Sequence, residues 1–162
     1  MKRRGVIHDK LSYALATMGH DDLLIVTDAG MPFKRDDERT IDLALAPDVP
    51  DIFTVLRAIR QDLWVEKFAF IAEGRNPNVV NGVSEIFPDA ESTTMPNDWF
   101  HHAVDNTAKW VVRSGAWTPW GNVALWSGIP VAEWMSSTGA EPPQEWDERL
   151  RLNREHGNDG VR

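Results

Sequence analysis

Apolar positions recur along this chain in two rhythms. Leu11 to Met18 carries them at helical spacing, and Gly19 reads as the stop. Leu23–Leu24–Ile25–Val26–Thr27 follows as a short, unbroken β-prone run, the pattern of a buried strand. Asp28–Ala29–Gly30–Met31–Pro32 reads as the loop leaving its C-terminal end, and residues 35–39 as a charged, solvated stretch. Ile41 to Leu45 reads as a strand interrupted by Asp42, and Pro47 and Pro50 bracket a turn. Ile52 to Ile59 returns to the helical period. Trp64 to Ile71 predicts a strand, and Asn76–Pro77 opens a helix that Phe87–Pro88 closes. Pro96–Asn97 opens another, with Asn97 as its N-cap. Lys109 to Arg113 and Val123 to Trp126 complete the strands, with turns marked by Ser114–Gly115 and Pro119. Strands alternating with helices predict an α/β layered domain, and no internal repeat is present.

The rhythm changes after Pro130. Ser136 to Pro143 is small, polar and turn-forming, Gln144 to His156 is charged enough for a short solvated helix, and residues 157–162 read as a frayed end. The expected division is a compact domain over residues 1–131 and an appended polar tail over 132–162.

Composition narrows the function classes. At 162 residues, 42% hydrophobic and 26% charged, the chain has the make-up of one globular domain with a real core. A net charge of −8 excludes a nucleic-acid partner that would need a basic face. After Lys2–Arg3–Arg4 only Gly5–Val6–Ile7 precede His8, Asp9 and Lys10, so no signal peptide is expected, and no run approaches the ~20 apolar residues of a membrane span. With no cysteine there is no disulfide, thiolate nucleophile or Cys-based metal site. The expected setting is the cytoplasm.

Three groups of residues can carry chemistry. His20 and Asp22 precede the Leu23–Thr27 strand and Asp28 follows it, and ligands in open α/β sheets bind outside the carboxyl ends of strands. An extended strand keeps His20 and Asp28 apart within one subunit. Both can face one ligand only if a neighbouring subunit supplies one of them, so a site at a subunit contact is expected. The plainer reading makes the aspartates turn residues and His20 a surface side chain. Asp98, His101, His102 and Asp105 share a helix face at i, i+3, i+4 and i+7, but they match no metal motif and adjacent histidines diverge by about 100°. No metal is expected there. Trp117 and Trp120 with Asn122 offer an indole for sugar C–H groups and an amide for hydroxyls, though both tryptophans also suit simple packing.

Gly19–His20–Asp21–Asp22, Asp28–Ala29–Gly30–Met31–Pro32, Ile41–Asp42–Leu43–Ala44–Leu45, Val49–Pro50 and Arg113–Ser114–Gly115 with Pro119–Trp120–Gly121–Asn122 stand in an order and spacing that resembles the ribose pyranase and fucose mutarotase (RbsD/FucU) family. The resemblance covers most of residues 1–131. It implies a three-layer α/β/α sandwich with a mixed sheet, assembled into a ring-like homo-oligomer, often a decamer, with monosaccharide sites at subunit contacts. It also implies His20 as the catalytic residue and Asp28, Asp98, Trp120 and Asn122 as substrate-binding positions. Two of these depart from the family pattern. Trp120 replaces a tyrosine, and an indole has one donor and no acceptor. A gap-free count back from Arg113 puts Asp98 where the family has histidine or arginine, which reverses the charge.

The implied reaction is sugar mutarotation, which needs no cofactor. A proton leaves the anomeric hydroxyl, another reaches the ring oxygen, and reclosure reverses both. A histidine titrating near neutrality serves either direction, and such catalysis contributes ~10²–10⁴-fold. A non-catalytic sugar-binding module, or a different enzyme acting on a cyclic substrate, remains open on the residues alone.

Overall fold

The computed structural model describes residues 1–34, 36–74 and 76–156. The expected frayed end, residues 157–162, lies outside them. The first strand, β1 (Leu23–Thr27), is buried at all five positions. Its side chains alternate between two separate cores. Leu24 and Val26 join one apolar cluster, Leu23 and Ile25 the other. That two-sided burial is why the sequence shows an unbroken apolar run there and no alternation.

The remaining strands are β2 (Thr40–Asp42), β3 (Val65–Ile71), β4 (Glu91–Met95), β5 (Trp110–Arg113) and β6 (Val123–Ser127). They form one six-stranded sheet in the order β2-β5-β1-β6-β3-β4. The β1–β5, β2–β5 and β3–β4 pairs are parallel, and β6 runs antiparallel to both β1 and β3. The sheet is therefore mixed. Helices α1 (Asp9–Ala16), α2 (Ile52–Arg60) and α3 (Pro77–Ile86) contribute Leu11, Leu15, Val55, Leu56, Ile59, Val79 and Val83 to the larger core. On the other face, α4 (Asn97–His102) and a π-helical turn (Ala103–Thr107) supply Phe100, Ala103 and Val104. This is the expected three-layer α/β/α sandwich.

Several local expectations change. β4 is an edge strand whose positions are exposed or half-buried, so Glu91–Met95 carries no apolar pattern to read. The strand expected over Ile41–Leu45 stops at Asp42. Asp42 pairs with Arg113 at 3.1 Å, the chain turns away, and Leu45 stays exposed. Asn97 is the first helical residue, with Pro96 at the cap position. Arg39, expected in a solvated stretch, is tied to Asp37, and its guanidinium donates to the carbonyls of Ala108 (2.9 Å) and Asp105 (3.0 Å). It thus satisfies backbone oxygens at the end of the π-helical turn, which no intrahelical donor reaches.

The tail is more ordered than its composition suggests. It forms α5 (Val131–Thr138), capped by Gly139 in the left-handed region (φ 69°), and α6 (Asp147–His156). Val131 and Leu150 are buried, so both helices are anchored. No described helix is long and apolar enough to cross a membrane.

The antiparallel β6 decides where the chemistry lies. Val26 of β1 pairs with Val123 of β6, so Asp28 and Asn122 emerge side by side at one end of the sheet. Leu23 pairs with Trp126 and Val65 with Ser127, so His20, Ser127 and Glu66 gather at the opposite end.

Candidate active site

At the Asp28 end, two residues bond each other reciprocally. The Asn122 amide donates to Asp28 Oδ2 at 2.9 Å, and the Asp28 backbone N–H donates to Asn122 Oδ1 at 3.0 Å. Asp28 Oδ1 accepts from the N–H groups of Gly30 and Met31, both at 2.9 Å. The carboxylate is fixed by three donors, the loop chemistry expected of an aspartate after a strand. Arg113 reaches the same loop from β5 and donates to the Ala29 carbonyl at 2.9 and 3.2 Å. Ser114 Oγ donates to the Thr27 carbonyl at 2.7 Å. Gly115 is needed for close approach, because a Cβ there would lie 2.5–2.6 Å from the carbonyl oxygens of Val49 and Ala46. The Arg–Ser–Gly motif thus braces the Asp28 loop.

A cavity of about 340 Å³ opens on this pair, lined also by His101, Asn97, Pro119 and Trp120. Trp120 has φ 61° and is 42% exposed, with its indole packed against Gly74. A Cβ on Gly74 would come within 1.8 Å of the indole, so only glycine permits that placement. Asn76 donates to the Pro119 carbonyl at 3.0 Å and holds the loop from α3. Trp120 and Gly74 also border a second cavity, of about 370 Å³, along β3 and β4.

From α4, Asn97 and His101 line the cavity one helical turn apart, whereas Asp98 is exposed and outside the lining. Successive helical residues diverge by about 100°, so Asp98 cannot share the Asn97 face. The count back from Arg113 also ran through the π-helical turn Ala103–Thr107, whose wider winding rotates everything before it. His102 points elsewhere and meets the Asn106 side chain at 3.3 Å.

His20 stands at the far end of β1. Its Nε2 lies 2.9 Å from Glu66 Oε2, 3.9 Å from Asp21 Oδ1 and 3.5 Å from Arg149 Nη1. Arg149, from α6, donates to Glu66 Oε1 at 2.8 Å. Burial pushes the Glu66 carboxyl above its ordinary range, against the opposing pull of Arg149 and His20. Sequence reasoning missed both partners, because Glu66 sits inside a strand and Arg149 inside a charged helix. His20, Asp21 and Glu66 are close enough to ligate a cation among the described residues. The Arg149 guanidinium already lies beside Glu66 and His20 and serves as the counter-charge of the Glu66 carboxylate.

The profile of one family, described as the RbsD / FucU transport protein family, matches residues 1–130. The chain belongs to the RbsD/FucU family. D-ribose pyranase 1 of Streptomyces griseus is 41% identical over 152 residues, spanning 93% of this chain and 100% of its own. D-ribose pyranase 2 of Rubrobacter xylanophilus is 39% identical, spanning 92% and 97%. Among solved structures, RbsD of Bacillus subtilis complexed with D-ribose superposes with a TM-score of 0.72 at 29% identity, spanning 80% of this chain and 98% of that one. The two pyranase alignments therefore run into the C-terminal extension. The family profile stops before it.

Proposed function

We propose that this RbsD/FucU-family protein is a sugar pyranase or mutarotase of the D-ribose pyranase type, interconverting ring forms or anomers of a free monosaccharide without a cofactor. The observation that carries this reading is the reciprocally bonded Asp28–Asn122 pair at the mouth of a cavity walled by an indole. A braced carboxylate and amide accept and donate to sugar hydroxyls, and the Trp120 ring covers the sugar's C–H face. His101 and Asn97 supply further polar atoms from α4. His20 is the proton-transfer group: on ring opening it takes the anomeric proton and delivers it to the ring oxygen, and on reclosure it moves a proton the other way.

His20 and the Asp28 cavity lie at opposite ends of β1, and a five-residue strand alone spans about 16 Å. The complete site therefore draws His20 from one subunit and the cavity from another, within a ring-like homo-oligomer. Exchange spectroscopy on D-ribose tests the activity directly. Cross-peaks between pyranose and furanose forms should grow faster with protein present, and His20→Ala should abolish the gain. Binding without any exchange would leave a sugar-binding module, and neither would overturn the reading.

A further inference from the structure

The His20 end of the sheet contains a built arrangement that the sugar cavity does not explain. The β3–β6 register shifts between Val65 and Lys67, which makes Glu66 the irregular residue of that strand. Such a bulge re-aims a side chain out of the normal alternation. Gly128 makes room for it. A Cβ on Gly128 would lie 2.8 Å from Glu66 Cβ and 2.9 Å from its Oε2. The result is a Glu66 side chain only 9% exposed, with one oxygen on His20 and the other on Arg149. The Arg149 guanidinium also stacks on Trp146, 5.4 Å from the ring centroid, which fixes its approach. Arg149 belongs to α6, held down by the buried Leu150 beside it.

We propose that Glu66 and Arg149 are positioning residues for His20: the C-terminal extension supplies the cation that sets Glu66, and Glu66 holds Nε2 so that Nδ1 is the proton-transfer atom. The inference rests on His20 as the acid–base group. A carboxylate accepting Nε2–H fixes the neutral imidazole in the tautomer whose lone pair is on Nδ1, the logic of carboxylate–histidine pairs elsewhere. Arg149 limits how strongly that carboxylate favours the imidazolium. The charged groups facing the ring are Glu66 from β3, Asp21 from the preceding turn and Arg149 from α6. Removing the anion and removing the cation must therefore move His20 in opposite directions, which a purely structural role does not require.

The test is an NMR titration of the His20 imidazole in the full-length protein, assigned by loss of its signals in His20→Gln. Arg149→Gln should raise the His20 midpoint by about half a unit or more, and Glu66→Gln should lower it by a similar amount. Arg149→Lys should stay near the native midpoint. Gly128→Ala, which displaces Glu66 while keeping its charge, should shift His20 in the Glu66→Gln direction and provides a second route if that variant folds poorly. The pH profile of ribose exchange should move with each midpoint. Unchanged midpoints, or shifts of the same sign in Arg149→Gln and Glu66→Gln, would overturn the proposal. If the native protein exchanges no sugar, the functional reading fails on its own, while the midpoints still decide whether Glu66 and Arg149 control His20.

Discussion

Asp28 and Asn122, 94 residues apart in the chain, hold each other by two hydrogen bonds at 2.9 and 3.0 Å. Each satisfies a polar group that the other would otherwise leave bare, and Asn122 is only 5% exposed. Asn122→Ala strands one carboxylate oxygen and one backbone N–H. The expected cost is about 1–3 kcal/mol of stability, with exchange of D-ribose reduced by at least about tenfold as the carboxylate loses its fixed direction. Thermal unfolding and exchange spectroscopy read the two effects separately. An unaltered exchange rate would remove this pair from the site.

The indole of Trp120 rests where Gly74 has no side chain. Gly74→Ala puts a carbon inside the ring's volume and must displace it. Its backbone is not in the left-handed region, so the cost falls on Trp120 and not on local conformation. The expected result is a raised KM for sugar with the fold retained. Sugar-dependent quenching of tryptophan fluorescence should weaken in parallel. Equal KM in the native and Gly74→Ala proteins would mean that the indole packs without contacting substrate.

How much of this was legible in the sequence depends on what each residue must satisfy locally. β1 was readable because burial on both faces demands Leu–Leu–Ile–Val in a row. Asp28 and Asn122 were readable through their motifs and the loop chemistry that holds them. β4 was not, since an edge strand of Glu–Ser–Thr–Thr–Met is held by backbone pairing to β3 and not by apolar contacts. Asp98 and His101 could not be ranked, because a π-helical turn breaks the 3.6-residue count on which helix faces are judged. Glu66 and Arg149 gave no signal at all. One depends on a bulge and on a glycine 62 positions later, the other on how an appended helix docks, and neither is local.

Acid should loosen this fold through identified carboxyls. Hydrogen bonds from Lys109 and Arg39 hold Asp22 and Asp37 below the usual carboxylate value. At Asp51 burial opposes the shift, but the Thr54 hydroxyl and the N–H groups of Thr54 and Phe53 still pull it down. A depressed folded-state pKa contributes stability that is present above the unfolded value and lost as pH falls through the folded one. Stability should therefore decline below about pH 4. Glu66 acts in the opposite sense: its raised carboxyl favours folding below its unfolded value and loses that contribution as pH rises through the folded one. Asp51 also caps α2 through Phe53 and Thr54, at 2.9 and 3.1 Å. Asp51→Ala should cost about 1 kcal/mol at neutral pH and flatten part of the acid transition. Chemical denaturation at pH 7 and pH 3.5 checks both.

The placement of His20 and Asp28 at opposite ends of β1 makes a distinctive prediction about mixed assemblies. His20→Ala has an intact cavity and no proton-transfer group. Asp28→Asn keeps His20 and loses the carboxylate. Each variant alone should be close to inactive. If every site combines His20 of one subunit with Asp28 of its neighbour, random co-assembly of equal amounts leaves about a quarter of the sites with both native residues. Co-expressed or co-refolded mixtures should then recover about a quarter of native exchange activity, whereas simple mixing without subunit exchange should recover none. A site contained within one subunit predicts the opposite, because every chain in the mixture carries one lesion and no site is whole. Recovery separates these cases without needing the subunit count, since the fraction depends only on each site spanning two chains.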